Sequence, residues 1–275
     1  MTQTQSTPVP FIIWTMQRTG GTNLSRNLLE MSPFRAEQEP FNRPRVYGHI
    51  MQAWEKDRFG DEDTKKAAVA NVEKAVHDIL AKNENIKHCV EMVPWRISSS
   101  LAKASVDQDY KSLFLIRENS LQRLLSMEYA RRTKVWGPSH EKPDEATDPA
   151  FDAPLDIDAL LEHETMGITR LNDFWKSLKA QGAKPHVISF EQVYEADFET
   201  ACAAVSATTT YLGFDCGDDQ ISEMTSKMRD VGNQNTRNRY DRFDGIDDLR
   251  RALEKLPDYV FFKSDRTAML EGTAS

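Results

Sequence analysis

Residues 11–16 read FIIWTM, an unbroken apolar run, and the chain then turns at once through Gln17, Arg18, Thr19, Gly20, Gly21, Thr22 and Asn23 into a segment with helical spacing. A run this short and apolar, followed by glycines, is the pattern of a strand buried on both faces. The turn after it has its own chemistry. A glycine pair lets backbone N–H groups approach an anion with no Cβ in the way. A helix start adds unpaired N–H groups and the positive end of the helix dipole. Arg18 adds a fixed positive charge, and Thr19, Thr22 and Asn23 can donate further hydrogen bonds. The competing reading is a plain glycine turn with a solvated arginine. A Walker A loop needs GxxxxGK[ST], whereas here the basic residue precedes the glycines. The loop therefore suits the 5′-phosphate of a nucleotide better than a Mg·ATP site.

The rest of the chain alternates strand and helix patterns. Helices are expected over 22–31, over 64–82 (Ala68, Val69, Val72, Val76, Ile79 and Leu80 at helical spacing), from Asn119 or Ser120 to about Thr133, over 157–181 up to Gly182, and through most of the tail from 196. Further strands are expected at 86–93 (IKHCVEMV), 112–116 (SLFLI) and 186–190 (HVISF). Strands alternating with helices imply an α/β fold of three layers, P-loop-like, with a mainly parallel central sheet and helices on both faces. Residues 1–9 read as a flexible arm and 10–275 as a single domain, with a proline-rich, acidic surface loop at 137–155 and a helical C-terminal part.

Charge and composition narrow the partners. The net charge of -8 argues against a nucleic-acid or anionic-membrane surface, so any anion site must be a local basic pocket. Cys89, Cys202 and Cys216 lack CxxC spacing and read as reduced thiols of a cytoplasmic protein. The first nine residues do not read as a signal peptide, and no apolar run approaches the roughly 20 residues a membrane span needs. A homo-oligomer is compatible with the sequence.

A second constellation lies in LFLIRENSLQRLLSMEYA. Arg117 stands at the carboxyl end of an expected strand, the edge where open parallel sheets bind ligands. Ser126 follows on the next helix and shares a face with Arg123, three positions before it. An arginine and a serine so placed can grip a second phosphate. The alternative is an arginine paired with a nearby acid and a serine that only packs.

These two motifs in this order, R-[ST]-G-x-[ST] after a strand and R-E-N-x-L-x-R-x-x-S on a later strand-to-helix turn, resemble the PAPS-dependent sulfotransferases, most of all the bacterial carbohydrate branch that acts on Nod factors and trehalose glycolipids. ARRTKVW at 130–136 and FEQVYEADFETACAAVSATTTYLGF at 190–214 continue the likeness. The resemblance implies that Arg18, Thr19, Gly20, Gly21, Thr22 and Asn23 bind the 5′-phosphosulfate of 3′-phosphoadenosine 5′-phosphosulfate. It implies that Arg117 and Ser126 bind the 3′-phosphate, that no metal is needed, and that the acceptor is a small-molecule or glycolipid alcohol. Glu39, in EPF, takes the place of the branch's general base, with His49 the competitor because cytosolic sulfotransferases use a histidine.

Chemistry limits that base. A carboxylate near pKa ~4.3 cannot fully deprotonate a hydroxyl near ~15.7, a gap of roughly 15 kcal/mol. Glu39 must accept the proton as the oxygen–sulfur bond forms. Arg18 and the loop N–H groups would stabilise charge on the bridging oxygen in an in-line transfer.

Four features depart from the family pattern. Gly21 stands where Ser or Thr is usual, Glu91 where a lysine is frequent, and Phe190 where a tyrosine is frequent. The tail lacks R-K-G-x-x-G, though Asn233, Asn235, Arg237 and Arg239 could close over a nucleotide or form a plain polar loop. Phe41, Trp136 and the 137–155 loop are the expected acceptor surroundings, with Trp136 also suited to simple packing. Two other readings compete: a nucleotide-dependent kinase of related fold, and a catalytically silent nucleotide-binding protein.

Overall fold

The structure is a computed structural model that describes residues 8–136, 148–231 and 237–263. Most of the expected N-terminal arm, residues 137–147 of the 137–155 loop, and Asn233 and Asn235 lie outside the described residues. Five parallel strands, β1 (Phe11–Thr15), β2 (Ala36–Gln38), β3 (Asn85–Cys89), β4 (Lys111–Ile116) and β5 (His186–Ser189), form one sheet in the order β2-β3-β1-β4-β5. Helices follow as α1 (Gly21–Met31), α2 (Gly48–Asp57), α3 (Glu62–Leu80), α4 (Trp95–Asp107), α5 (Ser120–Thr133), α6 (Ile157–Ala180), α7 (Phe190–Tyr194), α8 (Phe198–Leu212), α9 (Asp218–Val231) and α10 (Ile246–Leu253).

The centre of the sheet is β1, and its alternation explains the layers. Ile12, Trp14 and Met16 enter an apolar cluster with Val72 of α3, Leu101 of α4, Leu121 of α5 and Phe174 of α6. Phe11 and Ile13 point the other way, onto Leu24 and Leu28 of α1, Val205 of α8 and Met228 of α9. Successive side chains on a strand face opposite sides, so a continuous apolar run needs cover on both. The fold is therefore α/β, a parallel sheet between two helical layers.

Parallel pairing puts the carboxyl ends of β1, β3 and β4 side by side, with Thr15 opposite both Cys89 and Leu115. Chain order reverses at β1, so the crevice above these three ends is the switch point where such sheets bind ligands. Asn119 caps α5 by accepting the Gln122 N–H at 3.0 Å.

The strand expected over 86–93 stops at Cys89. Val90 still donates to the Thr15 carbonyl at 2.9 Å, but Met92 turns back onto Cys89 and Pro94 precedes α4. Arg170 of α6 donates to the Val90 and Val93 carbonyls at 2.7 and 2.9 Å, satisfying backbone that no neighbouring strand reaches. Helices α2 and α4 had no counterpart in the sequence reading. Among the described residues no helix is long and apolar enough to cross a membrane.

Candidate functional site

The loop after β1 is shaped from within. Thr19 is fully buried, and its hydroxyl bonds to the Met16 carbonyl at 2.8 Å and to the Thr15 hydroxyl at 2.5 Å. Thr15 in turn donates to the Leu115 carbonyl of β4 at 2.9 Å. Thr19 thus holds the loop's curve instead of presenting a hydroxyl to a ligand. Asn23 is engaged as well: its amide donates to the Met228 carbonyl at 2.6 Å, tying α1 to α9. The Asn23 N–H donates to the Gly20 carbonyl at 3.1 Å, so the ligand-facing capacity of this stretch rests on Arg18, Thr22 and the Gly21 and Thr22 N–H groups, which lie too early in α1 for an intrahelical acceptor.

Gly20 precedes α1 at φ 78, in the left-handed region. A Cβ there would lie 2.7 Å from a ring carbon of Tyr194, whose hydroxyl donates to the Gly20 carbonyl at 3.3 Å. Gly20→Ala is expected to destabilise the fold by about 1–3 kcal/mol, from backbone strain plus a forced ring shift. A fall in the thermal midpoint measures it. Gly21 is buried, and a Cβ there would press on the Lys87 stem at 3.2 Å and Thr15 at 3.3 Å. That close packing favours glycine here, because a larger residue, such as the Ser or Thr usual in the resembled family, needs the neighbours to give by a few tenths of an ångström.

The two basic motifs meet. Arg18 (φ 64) donates from Nε to Ser126 Oγ at 2.9 Å and from Nη1 to the Trp136 carbonyl at 2.9 Å. Arg117 donates from Nη1 to the Arg18 carbonyl at 3.2 Å and lies over the Phe190 ring, 4.1 Å from its centre. Phe190 therefore supplies a flat face for a guanidinium where a tyrosine is frequent in the resembled family. Burial lowers the pKa of both arginines, and Tyr240 opposes this in each case. Guanidinium still keeps its charge in proteins. Glu191 also offsets Arg117, while its own oxygens accept the Glu118 and Asn119 N–H groups at 2.9 and 3.0 Å.

Glu39 sits at the end of β2 with φ 54, its N–H on the Lys87 carbonyl at 2.8 Å. Its Oε1 accepts from Lys87 Nζ at 2.5 Å and from Cys89 Sγ at 3.3 Å, and Asn42 reaches Oε2 at 3.4 Å. Lys87 Nζ also donates to Thr22 Oγ1 at 3.0 Å, so one ammonium bridges the carboxylate and the start of α1. Burial pushes the Glu39 pKa up, but the Lys87 charge and the hydrogen bonds from Lys87, Cys89 and Asn42 outweigh it, and the net direction is down. For Lys87, burial acts downward and is outweighed by Cys89 and Glu39, leaving the ammonium favoured.

A carboxylate with a lowered folded pKa contributes stability above its unfolded value, and loses it as pH falls through the folded value. Lys87→Met is accordingly expected to cost about 3 kcal/mol at neutral pH by stranding Glu39. The wild-type advantage should shrink as pH falls through the folded pKa of Glu39, which lies below the ordinary carboxylate value. Denaturant titrations at several pH values would show this.

Lys87 and Tyr240 are the site residues the sequence reading missed. Lys87 carried one signal, a lone charge inside the otherwise buried strand NIKHC. Tyr240 carried none; it is buried on the turn Arg237–Arg242, its ring 6.3 Å from that of Tyr129 on α5. The side chains of Arg237 and Arg239 lie outside the described residues. His49 is exposed on α2 and lines the α2–α3 groove with Trp54 and Asn71. Phe41 is fully buried against Tyr47 and His88, a core residue and not acceptor surroundings. Trp136 is 42% exposed beside Arg18, open to a ligand. Glu91 is drawn beneath the loop onto the Gln17 N–H. Among the described residues no group of three or more His, Cys, Asp or Glu side chains gathers for a metal ion.

No family model matches the chain, and no curated protein matches it in sequence. Among solved structures, it is similar to mouse sulfotransferase SULT7A1 complexed with PAP, with a TM-score of 0.42 and 13% identity over 82% of this chain and 65% of that one. It is also similar to a structure from the PezAT chromosomal toxin–antitoxin system of Streptococcus pneumoniae, with a TM-score of 0.30 and 13% identity over 82% of this chain and 87% of that one. The chain thus spans just under two thirds of the mouse sulfotransferase chain, at 65%.

Proposed function

We propose that this chain is a sulfotransferase that moves the sulfuryl group of 3′-phosphoadenosine 5′-phosphosulfate to an alcohol, a carbohydrate or glycolipid hydroxyl, in the manner of the bacterial carbohydrate branch it resembles. The supporting observation is the hydrogen bond from Arg18 Nε to Ser126 Oγ, which joins two motifs 108 residues apart, with Arg117 on the Arg18 carbonyl. In this reading the start of α1, Arg18 and Lys87 face the phosphosulfate end, and Arg117 and Ser126 the 3′-phosphate.

The alcohol oxygen bonds to sulfur as the bond from sulfur to the bridging phosphate oxygen breaks, and the proton passes to Glu39. Adenosine 3′,5′-bisphosphate leaves. The ion pair with Lys87 keeps Glu39 ionised and ready at neutral pH. As Glu39 takes the proton, the ammonium's charge becomes available to the developing negative charge near Thr22. The reaction takes place in the cytoplasm in this reading, with free thiols at Cys89, Cys202 and Cys216.

One observation favours a second reading, a silent nucleotide-binding protein: the Glu39 carboxylate is already held by Lys87, Cys89 and Asn42. A thermal-shift series with a mass-spectrometric product search separates the readings. Stabilisation by adenosine 3′,5′-bisphosphate without Mg²⁺, plus a product 80 Da heavier than an acceptor (about one SO₃, by the transfer chemistry of), is the expected result. Stabilisation without product favours the silent protein, and stabilisation only by Mg·ATP favours a kinase.

A further inference from the structure

Beneath the anion loop lies a buried set of charges that the proposed chemistry does not use. Glu91, Arg123 and Glu164 come from the β3–α4 turn, α5 and α6, and their side chains are 0% exposed. Glu91 Oε1 accepts the Gln17 N–H at 2.6 Å, and Arg123 Nη1 donates to the Gln17 carbonyl at 3.0 Å. One residue of the loop is thus gripped at both of its backbone groups by opposite charges. Arg123 Nη1 is 3.7 Å from Glu91 Oε1, and Nη2 is bonded to Glu164. Arg170 and His163, both on α6, complete the surroundings of Glu91, His163 with Nε2 at 4.0 Å.

Burial pushes the Glu91 pKa up, with Arg123 and the Gln17 N–H opposing it. Stability alone is a poor reason for such a set, because well-packed apolar side chains in place of buried ion pairs are often as stable or more so. The gripped residue immediately precedes Arg18, which stands at φ 64. A non-glycine residue in that region costs roughly 1 kcal/mol and persists only where its surroundings over-determine it.

We infer that Glu91 and Arg123, backed by Glu164, are positioning residues: they clamp the Gln17 peptide groups and so hold Arg18 in the backbone conformation that aims its guanidinium at Ser126. The inference deepens the proposed function and rests on it for the identity of the ligand. It also changes the meaning of the acid at position 91. Its carboxylate oxygen meets the Gln17 N–H on the loop's underside, where it positions the basic pocket instead of opposing it.

The test uses the full chain with three substitutions. Glu91→Gln keeps an oxygen for the Gln17 N–H, Glu91→Leu removes it, and Arg123→Lys keeps the charge but loses the guanidinium fork. Two quantities are read at a temperature where circular dichroism shows each variant folded: hydrogen exchange across residues 16–20, and calorimetric affinity for adenosine 3′,5′-bisphosphate. Expected are faster exchange in the loop and an affinity loss of at least about tenfold in Glu91→Leu, with near-wild-type values in Glu91→Gln. Unchanged loop exchange in Glu91→Leu overturns the clamp, as do equal losses in Glu91→Gln, which would place the effect in the charge. Faster exchange with unchanged affinity overturns the positioning role. If Glu91→Leu does not fold, Arg123→Lys decides by the same two readings. A wild-type chain that does not bind the bisphosphate sinks the proposed function, and loop exchange then judges the clamp alone.

Discussion

Replacing Arg18 by alanine is expected to weaken adenosine 3′,5′-bisphosphate binding by roughly 10- to 100-fold and to lower kcat by about 10²–10³ beyond that. The first figure follows from losing hydrogen bonds to a charged group, at about 1.5–3 kcal/mol. The second follows from the proposed chemistry, in which Arg18 is a donor aimed where charge develops in the transition state. Arg18 holds Ser126 by Nε and the Trp136 carbonyl by Nη1, so it also organises the start of α5's ligand face. Lysine has one donor group and cannot span both partners, so Arg18→Lys should recover little of the loss. Calorimetry with the bisphosphate, and turnover on a sulfated-product assay, measure the two effects separately. Near-normal affinity in Arg18→Ala would remove the anion loop from the ligand site.

Glu39→Gln is expected to reduce turnover by about 10²–10⁴-fold, the contribution of a positioned general base, while bisphosphate affinity stays within a few-fold of wild type. The substitution also leaves the buried Lys87 ammonium without its counter-charge, so lost stability must be separated from lost chemistry. The double variant Glu39→Gln/Lys87→Met removes both charges and should regain much of the stability without regaining turnover. Turnover that survives Glu39→Gln would exclude Glu39 as the base. Turnover restored in the double variant would show that stranding Lys87, and not loss of a proton acceptor, caused the defect.

Much of the frame was legible in the chain because its signals are contiguous. FIIWTM, the glycine pair and the helical spacing after them lie within about one βα unit, and local propensity suffices to read them. The strand at 112–116 and the Asn119 cap were legible for the same reason. The reading failed where tertiary contacts overrode local pattern. Residues 90–93 have strand-like composition, yet the ladder does not continue past the Val90 N–H on Thr15, and Arg170 takes the Val90 and Val93 carbonyls. Thr19 and Asn23 have the chemistry of ligand donors, and the fold sets their side chains on the Met16 and Met228 carbonyls, partners no local pattern shows.

The sequence by itself determined that a strand buried on both faces turns through glycines into a helix, that a basic residue stands in that turn, and that a second arginine ends a later strand. Only the tertiary structure decided that these junctions touch, and that Lys87 links Glu39 to Thr22 across 48 and 65 residues of chain. The reason is the strand order. Placing β3 between β2 and β1 brings Gln38, Lys87 and Ile13 into one row. That row arises from packing between distant segments, which no local run of residues encodes.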